Sequence, residues 1–366
     1  MLCRKCKRCF SDGSEEHIIL EGLGGKTKTS LVFCRKCNES FSHIDKTLVE
    51  QFSFAKNLLE IHGKRGTAPH VKMTDPSGNP VMLKPGGKPF YLEPRTEEII
   101  EGHKKTIRLS IPPHIWAQYK SKVEKQHNIE INDTDMKNIS ERPVLDRKFG
   151  FGGLDAFRAA AKMAYSLVCD HLVRHSLDAD LSAIEDYIFT GTKVEGLCLF
   201  DDRSEIYEEV DDLCNIIAVH FNSGCDNIVG SITILGSFGF SVLLSRNYSG
   251  ESYTIRIKNN PLDSQIKDEF ERTSLERVVK TPWLLSRPNF SHTNRWISMG
   301  QAFSEKYVSK VTRLHYDIVF EGILANCMKQ AGFYDDDREV ITDEMIAILS
   351  ACVARKITTL FKKDGG

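Results

Sequence analysis

Two Cys-x2-Cys pairs, Cys3/Cys6 and Cys34/Cys37, constrain the fold of this chain more than any other feature. Pairs of this kind, roughly thirty residues apart, have the spacing of a closed zinc site, in which each pair sits on a tight knuckle and both sulfurs reach one ion. A small hairpin-plus-helix module cannot bury enough apolar surface to fold alone. A tetrahedral thiolate zinc supplies the missing free energy, on the order of 10 kcal/mol or more. Arg4, Lys5, Lys7, Arg8, Arg35 and Lys36 surround the pairs and offset the charge of four thiolates. Cys6 and Cys9 form a further Cys-x2-Cys, so either Cys3 or Cys9 is spare; Cys3 with Cys6 is preferred because it leaves a longer strand before Glu16. The other cysteines (Cys169, Cys198, Cys214, Cys225, Cys327, Cys352) have no paired spacing and read as small buried hydrophobes. An odd total of 11, with no signal peptide, predicts a reducing cytoplasm and not a disulfide framework.

Between the pairs lies Glu16-His17-Ile18-Ile19, then Leu23-Gly24-Gly25, and the second pair runs directly into Asn38. A phosphodiester transition state gathers charge on its oxygens, and a hard cation with oxygen ligands neutralises it. A histidine near its ordinary pKa is matched to deprotonating water at neutral pH. A closed thiolate zinc has no open position, so a second, catalytic ion is implied. The pattern resembles the zinc-containing branch of the HNH nuclease family, whose fold is a ββα-metal module. The resemblance implies that His17 is the general base, and that Glu16 and Asn38 are ligands of a catalytic Mg²⁺ or Mn²⁺. The sequence departs from that family at three places. Thr29 or Ser30 stands where the middle Asn of the signature belongs, Asn38 replaces its last His, and Leu20 replaces the usual Pro.

Phe41, Ile44, Leu48, Phe52, Ala55 and Leu59 recur at steps of three and four, an amphipathic helical stripe that Gly63 would stop. Asp45 follows Asn38 by seven residues and shares its helix face, so it is a candidate to support the ion or orient His17. Thr29 and Ser30 are candidates for the same supporting role. The formal net charge is −1, but residues 1–110 hold 19 Lys+Arg against 13 Asp+Glu, while the remainder is acidic. A basic front suits a chain whose first third meets phosphate.

The fold class expected is α+β: the zinc-stapled ββα-metal module, then an α+β domain with an antiparallel sheet, then a helical C-terminal tail. The boundaries read as 1–70 for the nuclease module, 71–95 for a Pro/Gly-rich hairpin connector, 96–300 for the α+β accessory domain and 301–366 for the tail. Val81–Leu83 and Phe90–Leu92 are strand candidates between turn signals, and Thr106–Ile111 alternates as a strand, followed by a helix to His127. A long helix is predicted over Leu154–Leu177, with His171 and His175 read as core or surface histidines. Asn215–Phe221, Ile228–Leu235, Phe238–Ser245 and Tyr253–Ile257 read as an antiparallel meander. Residues 263–300 read as a long ordered loop, and helices follow from 301 and from Thr342. The span 96–260 also resembles, loosely, the region trailing the HNH module in some bacterial proteins, through Arg158, Lys162 and Ala164 of the long helix. That likeness implies architecture and no ligand.

No apolar run approaches a membrane span. The function expected is metal-dependent endonucleolytic hydrolysis of DNA, with RNA left open, in a cytoplasmic protein that suits a bacterial or phage defence effector. Two other readings stand beside it. One is a zinc-stapled nucleic-acid-binding module without turnover; the other is a sensor–effector gated by a regulatory ligand or protein partner on the C-terminal domain. The two C-terminal amphipathic helices suit a homodimer.

Overall fold

The computed structural model describes residues 1–11, 13–63, 66–76, 78–101, 104–111, 115–127, 130–131, 145, 150–192, 197–201, 213–236, 238–262, 268–274, 293–333 and 341–361. In chain order the elements are β1 (Glu16–His17), β2 (Lys28–Thr29), α1 (Arg35–Glu39), α2 (Ser42–Gln51), α3 (Ser53–Leu58), β3 (Val71–Thr74), β4 (Pro80–Lys84), β5 (Lys88–Tyr91), β6 (Arg95–Glu101), β7 (Lys104–Ser110) and α4 (Trp116–His127). They continue with α5 (Leu154–Arg174), α6 (Ser182–Thr190), β8 (Cys198–Asp201), β9 (Asn215–Asn222), β10 (Asn227–Ile234), β11 (Phe238–Ser245), β12 (Tyr253–Asn259), β13 (Glu269–Ser274), α7 (Thr293–Gln330) and α8 (Asp343–Phe361). The fold is α+β, as expected: antiparallel sheets with helices and an N-terminal four-cysteine module. The chain clusters into two compact units, residues 1–69 with 149–312 and residues 70–148 with 313–366.

The first unit is built on a six-stranded antiparallel sheet ordered β13-β12-β9-β10-β11-β8. β9, β10 and β11 run as the meander the sequence suggests, but β12 does not continue it. It crosses back to pair with β9, Ile255 opposite Val219, so the stretch between β11 and β12 is not the hairpin turn that a meander requires. The physical reason is coverage: β9 is buried on both faces and needs a partner on each edge. The interval read as a long loop contains β13 and the start of α7; its Trp283 and Pro288 lie outside the described residues.

α5 lies against the inner strands of this sheet. Gly230 of β10 permits the approach, since a Cβ there would stand 2.8 Å from the Ala164 Cβ. The helix is buried nearly all round, from Ala156 to Cys169 almost without interruption, which is why its small Ala run tolerates neighbours on two sides. α6 packs beside it: Arg158 donates from Nε and Nη2 to the Ile188 carbonyl. The expected helical stripe after the knuckle is buried as predicted at Phe41, Ile44, Leu48, Phe52, Ala55 and Leu59. It is broken into α1, α2 and α3, and it stops before Gly63, where Glu60 takes a left-handed φ of 53°. Of the cysteines read as buried, Cys169, Cys198, Cys214 and Cys327 are, whereas Cys225 is exposed and Cys352 half-buried.

The second unit contains a three-stranded sheet, β3-β4-β5, a β6–β7 hairpin, α4, α8 and the residues of α7 from 313 onward. Gly86 and Gly87 both have positive φ in the β4–β5 turn. Among the described residues, no helix is long and apolar enough to cross a membrane.

Candidate active site and zinc knuckle

Four thiols converge at the N-terminus. The Sγ atoms of Cys3, Cys6, Cys34 and Cys37 all lie within 4.8 Å of one another. Cys6 Sγ and Cys34 Sγ are 3.9 Å apart; tetrahedral Zn–S bonds of about 2.3 Å place sulfurs roughly 3.8 Å apart. Burial pushes the Cys3 thiol up, but backbone hydrogen bonds from Cys6, Cys34 and Lys5 together outweigh it and bring it down to about 7. Burial, then hydrogen bonds to the neighbouring sulfurs, pushes Cys37 up. The donor set fits zinc, whose charge would favour four thiolates. Cys9 stands outside the cluster, exposed, in a bridge to Leu2. Cys3 is therefore the ligand candidate and Cys9 the spare thiol.

The second pair opens α1 and so fixes Asn38 within its first turns. β1 and β2 pair in register, Glu16 opposite Thr29 and His17 opposite Lys28. The loop between them is held by the sheet. Asn215 Nδ2 donates to the Leu23 carbonyl at 2.7 Å and Asn259 Nδ2 to that of Gly24 at 3.0 Å. Asp268 Oδ2 accepts from the backbone of Lys26 and Thr27. Gly24 has φ 91°, and a Cβ there would meet Pro261 at 2.7 Å, so the Leu-Gly-Gly turn is shaped to pass under the sheet edge.

Successive strand residues face opposite sides, and the two residues of β1 are correspondingly unlike. Glu16 is buried, whereas His17 is half-buried. The His17 ring makes no hydrogen bond to Thr29, Ser30, Asn38 or Asp45. Burial lowers its pKa, with Glu21 pulling upward and Lys28 downward, so the imidazole is neutral at neutral pH. Asn38 Nδ2 donates to Ser14 Oγ at 2.9 Å, and the Asn38 side chain lies near enough to Glu16 to favour its carboxylate slightly. Thr29 is tied to α5, its hydroxyl donating to Asp170 Oδ1 at 2.6 Å, while Ser30 is exposed.

Glu16, Asn38 and Asp45 are thus brought together, and a further residue joins them. Lys162 of α5 is wholly buried; its Nζ donates to Glu16 Oε1 and, at 2.9 Å, to Asp45 Oδ2. The Phe41 ring centroid lies 5.6 Å from the same nitrogen. Burial pushes Glu16 up; the Lys162 ammonium opposes this and the Asp45 charge adds to it. Asp45 is likewise raised by burial, against the pull of Lys162. Burial disfavours the ammonium, but the Asp45 and Glu16 carboxylates more than offset it, and Lys162 stays charged. Asp45 Oδ1 is buried with no hydrogen-bond partner among the described residues. Two carboxylates and an amide are a hard oxygen donor set of the kind that holds Mg²⁺ or Mn²⁺. Lys162 is the residue that sequence reasoning missed, having entered only as part of an architectural motif. The available signal was a lysine inside the run Ala159-Ala160-Ala161-Lys162-Met163-Ala164, where a charge demands a buried partner.

Residues 1–53 match the family model described as HNH endonuclease. No curated protein and no solved structure matches the chain.

Proposed function

We infer that the HNH endonuclease domain at the N-terminus makes this chain a metal-dependent hydrolase of DNA phosphodiester bonds. The observation that carries the reading is the knuckle of four converging thiols, whose second pair opens the helix that bears Asn38. The zinc is structural: with four thiolates it has no position left for water or substrate. Glu16 and Asn38 would hold a Mg²⁺ or Mn²⁺, which when bound supplies positive charge to the phosphate oxygens. His17, neutral at neutral pH, takes a proton from the attacking water as its oxygen bonds to phosphorus. The P–O bond to the leaving sugar oxygen breaks, and that oxygen takes a proton from solvent. Asp45 supports the carboxylate cluster. Thr29 fixes β2 to α5 in the place of the family's middle Asn, and Ser30 is free to meet the substrate backbone. Arg8, Arg35 and Lys36 are exposed around the knuckle and supply phosphate contacts. The same chemistry applies to the phosphodiester bonds of RNA, which is left open as a substrate.

Residues 1–70 carry the reaction and the sheet with α5 braces it. Tyr316, Leu324, Ile346 and Ile348 are exposed on α7 and α8, which supports a homodimer through the C-terminal helices. A cytoplasmic defence effector gated by a ligand or partner is the biological setting that suits these parts. A second reading, a binding module without turnover, is favoured by Lys162 already neutralising part of the carboxylate charge.

The test is supercoiled plasmid incubated with the protein and Mg²⁺ or Mn²⁺. Nicking is expected, with a loss of about 10²–10⁴-fold in His17→Ala at unchanged zinc content. Equal cutting by that variant removes His17 as the base, and DNA binding without nicking by the native chain selects the second reading.

A further inference from the structure

We propose that Lys162 is a tethered cation occupying the ion position of the site, so that α5 competes with a divalent metal for Glu16 and Asp45. The inference rests on reading Glu16 as an ion ligand. Its ground is charge and contact. Two carboxylates on different elements, β1 and α2, converge on one ammonium that is wholly buried. A divalent ion would match the charge of the pair; the ammonium matches half of it. The remainder is visible as Asp45 Oδ1, a buried carboxylate oxygen with no hydrogen-bond partner among the described residues. Lys162 is carried on a seated helix. That helix is packed on the sheet through Gly230 and Ala164, and anchored to β2 through Asp170 and Thr29. While α5 stays seated, an incoming ion consequently reaches Glu16 only by displacing Lys162 from it. Drawing α5 off the module would expose both carboxylates at once. The sheet-and-helix layer thereby sets the metal affinity of the nuclease module, which gives the sensor–effector reading a physical device.

The test is Mn²⁺ binding to the full-length, zinc-loaded protein by isothermal titration calorimetry, native against Lys162→Met. Methionine keeps an unbranched apolar stem out to the ε position while removing the charge. The variant is expected to bind Mn²⁺ at least about ten-fold tighter, because two uncompensated carboxylates attract a cation strongly at low dielectric. Adding Glu16→Gln to it is expected to abolish the gain. If Lys162→Met has no cooperative melt in Mn²⁺-free buffer, Mn²⁺ is expected to restore one. Unchanged or weaker binding, or an unfolded variant that Mn²⁺ does not rescue, overturns the proposal. Plasmid nicking separates this from the nuclease reading. Tighter Mn²⁺ binding with no nicking by either protein sustains the tethered cation and removes the nuclease. His17-dependent nicking by the native chain with unchanged Mn²⁺ affinity in Lys162→Met does the reverse.

Discussion

A thiol that ligates zinc and a thiol that merely stands nearby differ in what their removal does. Cys34→Ser is expected to release the metal and lower the melting temperature of the N-terminal module, since the free energy of ion binding is part of its folding free energy. Cys9→Ser is expected to keep full zinc stoichiometry and an unchanged melt, because Cys9 lies outside the four-sulfur cluster. Metal analysis with thermal melting checks both; zinc loss in Cys9→Ser would replace Cys3 in the ligand set. At this scale the sequence was informative where chemistry is local. Cys3, Cys6, Cys34 and Cys37 have the spacing of a shared ion, with Cys9 left as an alternative to Cys3, and Glu16 and Asn38 follow from the resemblance to the HNH family. Lys162 was not legible as a site residue. It reaches Glu16 across 146 positions of chain, and no local pattern reports which carboxylate a buried lysine will find. The orientation of His17 was equally out of reach, because which face of a two-residue strand is covered depends on α5.

Among the elements, β9 is an interior strand paired on both edges, and it contains His220. That side chain is buried, with Nδ1 2.9 Å from Thr254 Oγ1 on β12, and burial drops its pKa to about 4. The unfolded chain carries the ordinary value near 6.5, so between the two it binds the proton that the folded sheet refuses. Stability is therefore whole above about 6.5 and falls as pH drops toward about 4, by roughly 3 kcal/mol for the full shift. His171, lowered to about 4 by burial with His175 and Arg272 adding to the effect, contributes in the same window. The urea midpoint is expected to decline from pH 7 to pH 4.5, and His220→Gln to flatten that decline without removing the His171 share. A variant with the native slope would place the His220 ring in water. The strands of this sheet were legible from their apolar runs and intervening Gly and Ser, yet their order was not. Periodicity tells which residues are covered, and it is silent on whether β12 lies beside β11 or crosses to β9.

For the whole molecule, the N-terminal module is less separable than its compact motif suggests. Its core is completed from outside: Phe33 stacks on Tyr165 at 6.2 Å between centroids, and Phe41 meets Phe189 at 5.9 Å. Its β2 is braced by Asp170, and the loop between its two strands by Asn215, Asn259 and Asp268. A fragment of residues 1–70 would lose all of these and expose Phe41, Ile44 and Leu48, which are fully covered in the intact chain. Zinc alone then supports a knuckle and one short hairpin, a structure below the size at which a core sustains itself. The fragment is expected to bind zinc but to melt without a cooperative transition, and to give poorly dispersed amide spectra. Adding residues 149–312 through a linker in place of 70–148 is expected to restore cooperativity, since these segments form one compact unit. A sharp, zinc-dependent melt of the isolated fragment would show the bracing to be dispensable for folding. Any control exerted by α5 on the site would then act on an already finished module.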